Sequence, residues 1–149
     1  MKPTELERIV MDAVPLRVDL SRVRLHHEDC RGAAGLLRRV VLAASRNRAV
    51  ALGNHVFLPD RCQGNLPLLV HELTHCGQYQ AWGPALYFAR GIAAQVRELL
   101  HRRLGVGSSP YLYQVKADRP FESYGMEQQA QMAEDRFKSS GTNQVMPSA

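Results

Sequence analysis

Leu66-Pro67-Leu68-Leu69-Val70-His71-Glu72-Leu73-Thr74-His75-Cys76-Gly77-Gln78-Tyr79-Gln80-Ala81-Trp82 is the stretch on which the fold and the chemistry of this chain turn. Proline is tolerated at a helix start, and Leu69, Val70, Leu73 and Cys76 recur at helical spacing, so the segment predicts a helix with one apolar stripe. His71 and His75 stand off that stripe. Residues four apart share a helix face, so both imidazoles can reach one metal ion. Glu72, about 100° further round the helix, can lean over that ion without ligating it and accept a proton from a metal-activated water. Cys76 points about 100° away from His75, which places it in the core and not on the metal.

Two nitrogen donors and a base leave the site one protein ligand short. An extension of the same motif would put glycine at position 78 and histidine at position 81, but the chain has Gln78 and Ala81. Sites with two histidines can instead take an acid from a later helix, and the final helix region offers Glu122, Glu127, Glu134 and Asp135. Glu127 is the expected ligand. It opens the last helix, and the small residues Ala130 and Ala133 would let that helix approach the metal helix closely. Glu134 and Asp135 are the next candidates.

Outward from this stretch, the pattern predicts helix, strand, helix, hairpin and then three helices. A helical stripe over 3–14 carries Leu6, Ile9, Val10 and Ala13 and stops at Pro15. Alternation over 18–26 reads as a short strand. Leu36, Leu37, Val40, Val41 and Ala44 mark a helix over 32–45. Gly53-Asn54, between two short apolar runs, makes residues 49–58 a hairpin. Gly83-Pro84 separates the motif helix from one with the cleanest stripe in the chain: Leu86, Ala89, Ile92, Ala93, Val96, Leu99 and Leu100. A loop region over 105–120 leads to the last helix, ending near Phe137. This order predicts an α+β fold, a helical majority with a small antiparallel sheet beside the motif helix. One domain is expected over 1–138, with a flexible tail over 139–149.

Composition narrows the function. The 149 residues carry 19 Lys+Arg and 14 Asp+Glu, a formal charge of +5, and 45% are apolar types. That suits one globular core. The arginines are scattered and not interleaved with aromatics, which speaks against nucleic acid as a partner. No apolar run is long enough to span a bilayer. The N-terminus lacks the apolar centre of a Sec signal, so the expectation is a cytoplasmic protein or one exported by another route. Cys30, Cys62 and Cys76 form no CxxC pair and are expected as reduced thiols.

Two segments together resemble a known family. Asn47-Arg-Ala-Val-Ala-Leu-Gly-Asn-His-Val-Phe-Leu58 and the later Leu68-Leu-Val-His-Glu-Leu-Thr-His-Cys-Gly-Gln-Tyr-Gln80 resemble the HExxH metallopeptidase domain associated with extracellular contractile injection systems. The resemblance covers roughly residues 20–82, and the Glu127-Gln-Gln-Ala130 segment resembles the later helix of related zincin-like sequences. It implies a minimal zincin-like fold of gluzincin type that binds Zn2+, with ligand roles for His71 and His75 and the base role for Glu72; Glu127 is the third ligand expected from the last helix. The chain departs from the pattern after the motif, where a glutamine pair becomes Gln78-Tyr79-Gln80. The position four beyond Glu127, where gluzincins often hold an aspartate that orients the first histidine, is Gln131, the candidate for that supporting role. Tyr113, Tyr124 and His55 are candidates for the cleft or for stabilising a developing oxyanion, with Tyr111 beside them. His26 and His27 read as surface residues.

The implied activity is zinc-dependent hydrolysis of peptide bonds, on a peptide or protein substrate, with a secretion-system or toxin component as partner. The alternative is a non-catalytic zincin-fold binding or structural module that keeps its metal. So short a chain has little left to wall a deep cleft.

Overall fold

A computed structural model describes residues 5–27 and 31–142. The order is α1 (Glu5–Asp12), β1 (Arg24–His26), α2 (Gly32–Ala44), β2 (Val50–Leu52), β3 (His55–Phe57), α3 (Leu66–Trp82), α4 (Pro84–Leu104) and α5 (Met126–Thr142). This is the α+β architecture expected. The sheet is mixed and not purely antiparallel. Its order is β1-β3-β2, with β1 parallel to β3 and β2 antiparallel to it. The helix α2 makes the difference, because a parallel pair needs a crossover connection that two antiparallel strands do not.

Local chemistry sets the boundaries. The expected strand over 18–26 shrinks to Arg24–His26 because Asp19 folds the chain before it. The Asp19 carboxylate accepts from the Ser21 amide and hydroxyl and caps a 3-10 turn over Leu20–Arg22. The hairpin forms where Gly53 takes a positive φ of 65°, and the Tyr79 ring lies 3.1 Å from where a Cβ would stand. Asn65 caps α3 by accepting from the Leu68 amide. The last helix runs on to Thr142, through the first residues of the segment read as a tail. Cys30 and residues 143–149 lie outside the described residues.

The core gathers Val10, Met11 and Val14 of the N-terminal segment, Val23, Leu25 and Val56 around the sheet, and Leu69, Val70, Leu73 and Cys76 of α3. Helix α3 is its axis, with every residue from Leu69 to Gln78 buried. Gly77 lets the chain at Leu16 and Val18 press to within about van der Waals contact, where a Cβ would meet atoms at 3.0 and 3.1 Å. On the other side Ala130 and Ala133 of α5 are buried against it, as the small residues there led one to expect.

Two stripes do not face the core. In α2 the buried residues are Gly35 and Leu42, and Leu36, Leu37 and Val40 are exposed. In α4 Tyr87 and Ala94 are buried, while Leu86, Ile92, Val96, Leu99 and Leu100 are exposed. Periodicity locates an apolar face but not what covers it.

Candidate metal centre

Helix α3 presents His71 and His75 on the face turned toward the first turn of α5. Glu127 stands in that turn, where the helix dipole favours an acid. Its Oε2 lies 3.4 Å from His75 Nε2 and 3.6 Å from His71 Nε2. One ligand atom from each of the three residues lies within 4.8 Å of the others, a group that could hold a metal ion. The donor set fits a divalent cation of borderline softness: two imidazole nitrogens and one carboxylate oxygen, with room for a further ligand on the cleft side. Here sequence reasoning named three of the positions that the structure brings together.

The free ring nitrogens are fixed from behind by two hydrogen bonds. His75 Nδ1–H donates to Gln78 Oε1 at 2.8 Å. Gln78 is itself oriented, because its Nε2 donates to the Met126 carbonyl and to Gln129 Oε1. Gln129 is locked in turn, its Nε2 donating to the carbonyls of Tyr124 and Glu122. Each amide in this chain has only one orientation that satisfies its neighbours. The proton of neutral His75 is thereby placed on Nδ1, and Nε2 is left as an acceptor facing Glu127. His71 Nδ1–H donates to Glu134 Oε2 at 3.1 Å, and Lys138 holds the other oxygen of Glu134.

The supporting acid is thus Glu134 and not the residue at position 131. Gln131 donates to Asp135 instead. Glu134 stands seven residues, about two turns, beyond Glu127, which puts both on one face of α5. That spacing was readable in the sequence. Gln78 carries the same kind of signal, since a residue three beyond His75 lies on the same face of α3.

Electrostatics follow from this packing. Burial opposes charge on His71, but hydrogen bonds to Glu127 and Glu134 outweigh it and raise its pKa to about 10. His75 is raised on the same balance, with burial opposing and Glu127 prevailing. Burial would raise Glu127, yet the two histidines hold its carboxyl well below the usual range. Glu134 is drawn down to about 2, chiefly by its hydrogen bond with His71. Glu127 faces both histidines and Glu134 faces His71, so a metal ion and protons compete for the same ring nitrogens. Glu72 behaves differently. Burial pushes its carboxyl up, against the pull of His75 and His71.

The centre opens onto a cleft of about 780 Å³ lined by β2, α3, α4 and the start of α5. Tyr111 lines it, with burial and the Glu127 charge raising its hydroxyl pKa and Gln95 hydrogen-bonded to it. Tyr113 does not, since its hydroxyl donates to Asp135 at 2.6 Å. Nor does Tyr124, which accepts from the Lys116 amide and carries Arg119 over its ring. His55 also faces elsewhere. Its Nδ1 is 2.9 Å from His26 Nε2, and with His26 and Phe57 it makes a stack on the far strands of the sheet. His26 is buried in that stack and is not the surface residue its sequence position suggested. Cys76 is buried in the core as expected, and Cys62 and Cys76 are free thiols.

Residues 11–83 match the family model of the eCIS core domain. The match supports an association of this chain with extracellular contractile injection systems. The matched segment contains the sheet and all of His71, Glu72, His75 and Gln78, and ends before Glu127 and Glu134. No curated protein matches the chain, and no solved structure does.

Proposed function

We propose that this chain is a zinc-dependent metallopeptidase acting within a contractile injection system, with His71, His75 and Glu127 as ligands and Glu72 as the general base. The observation that carries the reading is the convergence of two oriented imidazole nitrogens on one carboxylate oxygen, beside a buried carboxyl of raised pKa, at the floor of an open cleft. When bound, zinc supplies a Lewis acid that polarises a carbonyl and lowers the pKa of water.

The chain's own residues do the rest. Gln78 and Glu134 hold the imidazoles in one tautomer and one orientation, which raises their basicity as ligands. The backbone of Ala51 hydrogen-bonds to Glu72 and fixes the carboxylate at the cleft floor. There Glu72 takes the proton of the attacking water and returns it to the leaving amine. Tyr111 stands at the cleft wall with a protonated hydroxyl, placed to donate to an oxyanion.

The test is hydrolysis of an unstructured protein substrate by zinc-loaded protein and by Glu72→Gln, with zinc measured in both. The substitution is expected to keep zinc and to lower turnover by at least the ~10²–10⁴-fold that general base catalysis contributes. Equal hydrolysis by both proteins, or none by either at full zinc occupancy, overturns the reading. The second outcome favours the binding module instead.

A further inference from the structure

The two walls of the cleft offer a ligand different things. One wall is β2, the edge of the sheet, and an edge strand ordinarily offers its free main-chain groups to an extended peptide. At Ala51 these groups are already used. The Tyr87 hydroxyl donates to the Ala51 carbonyl at 2.9 Å, and the Ala51 backbone also bonds to Glu72. A strand laid on β2 beside the metal centre therefore meets a closed position.

The other wall is α4, and it is apolar. Phe88, Ile92, Val96 and Leu99 recur along one side of the helix over about 16 Å, at ~1.5 Å per residue, and all four line the cleft. They are exposed, Ile92 to 66%. The buried residues of α4 are Tyr87 and Ala94, and the row itself stays exposed, uncovered by any of the described residues. Arg48 and Arg61 line the same cleft and donate to backbone carbonyls of Ser45 and Asn47, which leaves further guanidinium donors on each.

We propose that α4 is the specificity wall of the site. The cleft takes an extended polypeptide by its side chains, with large apolar residues seated on Phe88, Ile92, Val96 and Leu99 and an acidic residue reaching Arg48 or Arg61, without strand pairing at Ala51. The proposal rests on the peptidase reading for the nature of the occupant. The charges favour such a segment over a second copy, because α4 carries Arg90, Arg97, Arg102 and Arg103 against Glu98 alone, and two such helices repel. Withdrawing each large apolar side chain from water is worth roughly tenfold to a hundredfold in affinity.

The experiment measures binding and cleavage separately. Zinc-loaded Glu72→Gln is titrated with a labelled octapeptide carrying leucine at alternate positions and one glutamate, and with the same peptide bearing serine for leucine. The leucine peptide is expected to bind at least tenfold tighter, and the preference is expected to vanish when Ile92→Ser and Val96→Ser are added. Both positions are exposed, so circular dichroism should show the fold unchanged. Equal affinity for the two peptides, or a preference that survives the double substitution, overturns the proposal. So does a preference lost together with a dimer on gel filtration, which would give the wall to a second copy. Cleavage by the unsubstituted chain is followed in parallel. A leucine preference without turnover keeps the wall and removes the peptidase reading, and turnover without preference does the reverse.

Discussion

Helices α3 and α4 follow each other in sequence and have opposite fates. The stripe of α4 is the cleaner of the two, yet only Tyr87 and Ala94 of its 21 residues are buried. The stripe of α3 is interrupted by His71, Glu72, Thr74, His75 and Gln78, yet its central ten residues are all buried. A buried polar group costs free energy unless it is partnered, and each of these five has a partner. Thr74 donates to the Val70 carbonyl, Glu72 bonds to the Ala51 backbone, Gln78 bridges His75 to α5, and the histidines meet Glu127 and Glu134. Polar residues on a fully enclosed helix are thus a better signal of a site than a clean stripe is of a core.

The sharpest way to break this contrast is to truncate a large side chain on each helix. Leu73→Ala, at a position with no exposure, is expected to cost ~2–5 kcal/mol. Ile92→Ser is expected to change stability by no more than ~0.5 kcal/mol, as at other exposed positions. Urea unfolding of both variants checks it. A large loss from Ile92→Ser would mean that α4 has a covered face in solution.

A smaller effect tests the bonds behind the ligands. Gln78→Leu removes the acceptor of His75 Nδ1–H and leaves the Met126 carbonyl without its donor. Zinc affinity is expected to fall by ~10–100-fold, read by competition with a chromophoric chelator. Glu134→Gln keeps an acceptor for His71 and is expected to fall at the low end of that range. An unchanged affinity in both would show that the imidazoles need no orientation.

The contrast also explains what could be read from residues alone. His71, Glu72 and His75 were legible because helical periodicity fixes where side chains at i, i+1 and i+4 point. Glu127 was legible through its company, since Ala130 and Ala133 mark a face of close approach. Gln131 was misjudged because a rule carried over from other sequences named a position, while the helix geometry of α5 brings Glu134 to His71. His55 and Tyr113 were misplaced for a further reason. Where a strand or loop residue faces depends on which neighbours the chain later supplies, here His26 and Asp135. The parallel pairing of β1 with β3 was hidden in the same way, since strand pairing is not encoded within the strands' three residues.

The central claim is that α3 and α5 together build one metal site, two donors from the first and one from the second. Elemental analysis after loading with zinc and gel filtration tests it most directly, on the unsubstituted chain and on Glu127→Ala. About one zinc per chain is expected, falling to well under half in Glu127→Ala under mild chelation, with a lower melting temperature because metal binding is coupled to folding. A chain that takes up no zinc, or a Glu127→Ala variant that keeps its full complement, would contradict the account.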